Sequence, residues 1–243
     1  MFRKALLKSM ATTAAVGTAM AGAALAAPAT TVASDLAPMS CVSYQHDIIT
    51  NTVLSLKRSS AEYGTRNVAY VTVTSDTQQV PQGRVRISTP TDSWTVSLDA
   101  NGYASHRLSR WLRPGTYDVT ARYFPACHSH FQGSRSGLEP YTVRRAHTNV
   151  IHLNARNISR GQHPRVSLDV VSRTGVRVYG RVKIELFHHS RLRRSKVVRL
   201  DHGSAVAWFA RVRARGSWHV TAYYLGTRAF RRSQDDTSFW VSR

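Results

Sequence analysis

Cys127-His-Ser-His130 is the cluster in this chain that most looks like a metal site. On an extended backbone, imidazoles two residues apart face one side and could share an ion. The chain has two cysteines, Cys41 and Cys127. In an oxidising compartment that even count predicts one disulfide between them. An oxidised sulfur cannot serve as a thiolate ligand, and no acid or further histidine lies nearby in sequence, so no metal and no cofactor is expected. Gly133-Ser-Arg-Ser-Gly137 places its serines second and fourth, which is not the nucleophile elbow. There is no His-Glu-x-x-His, no phosphate loop and no calcium loop of spaced acids. Asp235-Asp236 is the one adjacent pair of acids, and a solvated loop is its expected home. Nothing nominates the two facing carboxylates of a glycosidase. The expectation is a chain without catalytic residues, not an enzyme.

Charge is the stronger signal. The formal net charge is +21, from 34 Lys and Arg against 13 Asp and Glu. Residues 51–147 hold 12 cations and 6 acids, while residues 148–243 hold 19 and 5. Ser190-Arg-Leu-Arg-Arg-Ser-Lys196 stands where the first half has Thr89-Pro-Thr-Asp92, and reads as a basic loop. Arg191, Arg193, Arg194, Lys196 and Arg199 supply its charge, and Arg211, Arg213 and Arg215 alternate on what reads as a neighbouring strand with one exposed face. Such a ladder can track a line of phosphates or carboxylates, with arginine binding bidentately. The competing reading is a charged face that only keeps the protein in solution, screened by salt. A specific nucleic-acid site is not expected, because the five tryptophans, Trp94, Trp111, Trp208, Trp218 and Trp240, mostly fit positions inside a sandwich and leave no stacking platform.

These side chains need elements to position them, and the chain spells the same elements twice. Gly64 to Gly83 and Gly161 to Gly180 each span 19 residues. Gly115-Thr-Tyr-Asp-Val-Thr-Ala-Arg-Tyr123 answers Gly216-Ser-Trp-His-Val-Thr-Ala-Tyr-Tyr224. An internal period of this length settles architecture before any single residue is interpreted. Ala69, Val71 and Val73 alternate with polar residues, as do Val166, Leu168 and Val170. Val85 and Ile87 match Val182, Ile184 and Leu186, with cations expected between them. Period two of this kind puts apolar side chains on one sheet face and charge on the other. Asp99-Ala-Asn-Gly102 and Asp201-His-Gly203 read as hairpin turns. About seven short strands per copy are expected, the spacing of a β-sandwich.

Residues 1–26 form a cleavable signal peptide: Arg3, Lys4 and Lys8 precede an apolar stretch that ends in Ala24-Leu25-Ala26. Residues 27–50 are an Ala/Pro/Thr/Ser-rich spacer that contains Cys41. Residues 51–145 and 146–243 are then two domains. No second apolar run could span a bilayer, so the mature chain is expected to lack a transmembrane segment and to be secreted or associated with the cell envelope.

The order Tyr63-Gly64, Thr74-Ser75, Pro81-Gln-Gly-Arg-Val-Arg-Ile87, Leu98 to Gly102 and Leu112 to Tyr123 resembles the bacterial Ig-like domains repeated in exported actinobacterial proteins. Phe131-Gln-Gly-Ser134 and Tyr141-Thr-Val143 are similar to that family's last strand and its approach. In the second copy Val178, His202 and Arg215 stand where the first has Pro81, Asn101 and Pro114. The resemblance implies two tandem immunoglobulin-like β-sandwiches serving as a spacer, adhesion or carbohydrate-associated module. Taken with the charge, the function expected is a non-enzymatic binder of anionic polymer, such as teichoic acid or acidic polysaccharide. The alternative is a structural spacer or protein–protein adhesin without a specific polyanion ligand.

Overall fold

The computed structural model describes residues 48–243. The expected signal peptide, most of the spacer and Cys41 lie outside the described residues.

In the first sandwich, β1 (Thr50–Leu56), β3 (Asn67–Ser75) and β6 (Tyr103–Leu108) form one sheet in the order β1-β3-β6. Facing it are β2 (Ser60–Glu62), β4 (Gly83–Ser88), β5 (Ser93–Ser97), β7 (Gly115–Pro125) and β8 (Glu139–Arg144), ordered β2-β8-β7-β4-β5. The second sandwich repeats this strand for strand. Its first sheet is β9 (Thr148–Ala155), β11 (Arg165–Ser172) and β14 (Ser204–Trp208). Its second sheet is β10 (Ile158–Ser159), β16 (Ser233–Ser242), β15 (Gly216–Tyr224), β12 (Arg181–His188) and β13 (Arg191–Arg199), in that order. The described residues are all-β, two Ig-like sandwiches in tandem.

Each copy has eight strands, where about seven were expected. The extra one arises because the first strand divides between sheets. The Lys57 amide still bonds to Val68 O at 2.9 Å, but Ser59 O already accepts from the Thr142 amide across the sandwich. Asn67 Nδ2 donates to Arg58 O at 2.7 Å and holds the crossing. β2 then runs parallel to β8, as β10 does to β16. A further correction concerns Asp99–Gly102 and Asp201–Gly203. Both turns form, with Asp99 and Asp201 amides bonding to Tyr103 O and Ser204 O. They connect strands of different sheets, however, and so are not hairpins.

Alternation makes the cores. Val71, Val85, Ile87, Val119 and Ala121 are fully buried in copy one, and Val166, Val182, Ile184, Leu186, Val220 and Ala222 in copy two. Each large aliphatic contributes on the order of 1.5–3 kcal/mol by leaving water. Registers coincide as well: Ile87 faces Ala121 as Ile184 faces Ala222. Tyr123 donates its hydroxyl to Gln82 O at 2.6 Å, and Tyr224 to Tyr179 O at 2.7 Å. Burial pushes both phenols up to about 12. One expected cation is an acid: Glu185 sits between Ile184 and Leu186 on β12, buried and 2.6 Å from Lys183 Nζ.

The two sandwiches meet end to end through Ala146 and His147. The Ala146 amide donates to Ala229 O and its carbonyl accepts from the Arg231 amide, both at 2.9 Å. Tyr63 packs edge-on against Phe230, with centroids 5.7 Å apart, and Tyr179 packs edge-on against the same ring at 5.4 Å. Trp111 lies 6.0 Å from Tyr63. Gly64, at φ 89°, lets the chains touch: a Cβ there would come within 2.3 Å of Val176 Cγ2. Among the described residues, no helix is long and apolar enough to cross a membrane.

Candidate functional site

The segment that reads as a basic loop is a strand. β13 pairs with β12 over its length, and the connection is only His189-Ser190, at φ 51° and 60°. Positive φ at both central residues is the geometry of the tight two-residue hairpin. In copy one, Ile87 faces Trp94 and the arms stop one pair later at Ser88 and Ser93. In copy two, Ile184 faces Lys196, and four further pairs carry the arms out to His188 and Arg191. Residues Arg191 to Val197 are exposed on both sides of the strand.

The register sorts the expected residues. Arg194 faces Leu186, Lys196 faces Ile184 and Arg191 faces His188, all core-side positions of β12, so these three turn toward the seam between the sheets. Lys196 Nζ confirms the direction by donating to Trp208 O of β14 at 3.1 Å. Arg193 is the extra residue of a bulge, because Leu186 faces Arg194 while Phe187 faces Leu192. Arg199 faces Arg181 on the outer side, at the end of the strand nearer the domain junction. At about 3.3 Å per residue it lies roughly 26 Å from Arg191. Arg199 therefore does not join the others.

Arg211, Arg213 and Arg215 are exposed, but they are not on a strand. Residues 209–215 form an irregular connection between β14 and β15. Val212 tucks inward; its amide donates to Gln162 O and its carbonyl accepts from Gly161 at 2.7 Å. Arg211 Nε donates to His163 Nε2 at 3.2 Å. His188 is buried, with Nε2 2.9 Å from Arg215 O, while His189 stands exposed at the hairpin tip. That bond ties the long hairpin to the arginine-bearing connection.

Four segments thus meet at the end of the second sandwich that is remote from Ala146: the β10–β11 turn, the β12–β13 hairpin, the connection 209–215 and the end of β16. Arg191, Arg193, Arg194, Arg211, Arg213 and Arg215 are there, joined by Arg160 and Arg165, which sequence reasoning did not single out. Residues 153–168, 186–200, 205–219 and 237–243 contain no Asp or Glu. The five acids of the second copy, Asp169, Glu185, Asp201, Asp235 and Asp236, all lie outside these segments. Among the described residues, no arginine forms an ion pair with a carboxylate. Arg165 covers the ring of Trp208 at 5.7 Å.

Several expectations about side chains are corrected. Trp111, Trp208 and Trp240 are more than half exposed, and only Trp218 is a core residue. Asp235-Asp236 is part of β16, not a loop, with Asp236 3.8 Å from His219 Nε2. His128 has φ 63° and sits in a turn closed by the Ser129 amide on Ala126 O, so Cys127–His130 is not extended. Ser134 and Ser136 serve the fold: Ser134 Oγ meets Thr50 and Thr52, and Ser136 Oγ accepts from the Ala121 amide at 2.9 Å. Two depressions of the second sandwich, about 660 and 490 Å³, are open. The charged pair lining the first, Lys183 and Glu185, is engaged with itself.

No family model matches the sequence. No curated protein matches it either. Solved structures similar in strand arrangement include the fibronectin(III)-like modules of Clostridium thermocellum CbhA, at 12% identity and TM-score 0.29, covering 78% of this chain and 94% of that one. A tetra-tandem repeat from the extending region of a large adhesion protein has 12% identity and TM-score 0.45, covering 80% and 50%. The Yersinia pseudotuberculosis adhesin InvE has 12% identity and TM-score 0.36, covering 77% and 58%. The chain therefore spans about half the length of the last two. At such values nothing about ligand or activity is taken from the likeness, and the sandwich assignment rests on the strand orders and registers given above.

Proposed function

We propose that this protein is an exported, non-enzymatic pair of Ig-like modules whose second sandwich binds an anionic polymer of a cell surface or matrix, such as teichoic acid or acidic polysaccharide. The domains are residues 51–145 and 146–243, after a signal peptide at 1–26, and Cys127 is disulfide-bonded to Cys41. The observation that carries the reading is the convergence of four acid-free segments at the end of the second sandwich remote from Ala146. Bringing six to eight guanidiniums together without counter-charges costs self-repulsion. A polyanion relieves it and releases its own counterions. Arginine suits the task because its planar fork meets carboxylate or phosphate bidentately.

The alternative, a spacer or protein–protein adhesin, draws on the aromatic junction at Tyr63, Tyr179 and Phe230, which stiffens the tandem. Binding of the mature chain to immobilised teichoic acid separates the two. Expected is tight binding at low ionic strength whose log K falls linearly with log salt, weakened on the order of 100-fold by Arg191→Glu/Arg193→Glu/Arg194→Glu. Retention that is absent at low salt, or indifferent to those substitutions, would refute the polymer reading and leave the spacer.

A further inference from the structure

The outer face of the five-stranded sheet in the first sandwich carries a row of arginines that its repeat lacks. Arg86 of β4 lies directly opposite Arg122 of β7, and Arg122 lies directly opposite Arg135 on the other side. Arg84 stands two residues before Arg86 on the same face. Strands are about 4.8 Å apart, so three guanidinium stems stand side by side across the sheet within roughly 10 Å. Like charges directly opposite each other destabilise a sheet. Among the described residues, none of the four forms an ion pair with a carboxylate. The nearest acid on this face of β7, Asp118, is four residues away, about 13 Å along the strand.

Two contacts hold the heads in place. Arg86 Nη2 donates to Ser93 Oγ at 3.0 Å, and the Arg122 guanidinium lies 5.0 Å from the Phe124 ring centroid. The second-copy positions that match Arg86, Arg122 and Arg135 are Lys183, Tyr223 and Gln234, and of these the lysine is neutralised by Glu185 at 2.6 Å; Arg84 alone keeps an arginine counterpart, Arg181. The repeat shows that the fold does not need this row.

We propose that the Arg86–Arg122–Arg135 row is a second anion-binding site, separate from the end of the other sandwich, that takes consecutive phosphate, sulfate or carboxylate groups lying across the strands. That those groups belong to a polymer rests on the function proposed above; the site itself does not. Two sites on one chain would let a long polyanion engage both sandwiches, with an effective concentration set by the junction.

The test uses the mature chain and two probes: tripolyphosphate, which occupies sites singly, and long-chain polyphosphate, with neutral dextran as reference. Calorimetry should count tripolyphosphate at the row and at the arginine-bearing end of the second sandwich. Arg86→Gln/Arg122→Gln/Arg135→Gln should abolish the first population and spare the second. The same variant should lower the slope of log K against log salt for polyphosphate by about 2–3. It should also melt no lower than wild type without ligand, since opposed like charges have been removed, while losing part of the thermal shift that tripolyphosphate gives. Unchanged stoichiometry and slope in this variant would overturn the proposal. Loss of all tripolyphosphate binding on Arg191→Gln/Arg193→Gln/Arg194→Gln would overturn it too. If that second variant binds normally while the first does not, the row stands and the reading of the second sandwich falls. Dextran sulfate in place of polyphosphate then separates sulfate from phosphate recognition.

Discussion

The same end of the same fold does two different things in the two sandwiches. In the first copy it is a joint. Tyr63 and Gly64 from one turn press against Phe230 and Val176 of the second sandwich, and Trp111 from another turn lies against Tyr63. In the second copy the equivalent turns carry Arg160-Gly161 and the connection with Arg211, Arg213 and Arg215. Tyr63 has become Arg160 and an apolar contact has become a positively charged end. The frame beneath is unchanged, because Gly64 and Gly161 both have positive φ and both bond their amides to the connection before the aromatic strand. Identical backbone geometry thus supports burial in one place and charge display in the other, and the choice lies in a handful of side chains.

The sharpest way to test this is to give both glycines a methyl group. Gly64→Ala meets Val176 Cγ2 at 2.3 Å and Thr174 Oγ1 at 2.8 Å, whereas Gly161→Ala meets nothing within 4 Å. Both suffer the left-handed backbone, about 1–2 kcal/mol. Only Gly64→Ala adds overpacking of about 1–3 kcal/mol. In thermal unfolding it should lose about 3 kcal/mol against about 1 for Gly161→Ala, with the two sandwiches then melting less cooperatively. Equal losses would show that the joint is not a packed interface.

A second contrast lies along the seam between the sheets. Trp94 of β5 stacks on His106 of β6 with centroids 4.8 Å apart, and burial lowers the imidazole's pKa. At the matching places copy two has Lys196 and Ala207, and the lysine reaches out to Trp208 O. Trp94→Ala, at a half-buried site, should cost about 2 kcal/mol. Lys196→Ala, at an exposed site, should change stability by no more than about 0.5 kcal/mol while weakening binding to polyanion. Denaturant titration of both variants checks the difference.

These contrasts also show what could be read in advance. The interior was legible because burial imposes a period: Val71, Val85 and Val119 must alternate with polar neighbours, and their counterparts must too. The exterior carries no such constraint. Arg191 to Val197 touches water on both sides of an edge strand, so no alternation marks it as a strand, and it reads as a loop. Arg211-Val-Arg-Ala-Arg215 errs the other way. Its alternation imitates a strand, but Val212 is buried by a turn that gives the segment no ladder to join. The arginine row on the first sandwich was hidden for a third reason. Arg86, Arg122 and Arg135 are scattered in sequence, and only the register brings them side by side.

The smallest effect concerns the polar side of the joint. His147 Nδ1 lies 2.5 Å from Glu62 Oε1, and Arg231 Nη1 donates to His147 Nε2 at 2.9 Å, so the ring donates to the carboxylate. Copy two has Ser159 in place of Glu62 and no such relay. Burial alone would raise the Glu62 pKa, but hydrogen bonds from the His147 ring and amide, with the nearby charge of Arg173, outweigh it and hold the carboxyl below its usual value. A depressed carboxylate stabilises the fold above its unfolded pKa, near 4.5, and that contribution disappears as pH falls through the folded value. The pair is partly open to solvent, so the contribution is about 0.5 kcal/mol at most. Glu62→Gln should therefore be less stable than wild type by that amount at roughly pH 6–7 and indistinguishable once the pH lies below the folded-state pKa, a window in which Ser159→Ala changes nothing. A Glu62→Gln deficit that persisted at low pH would mean that shape rather than charge holds this side of the joint, as it does at Gly64.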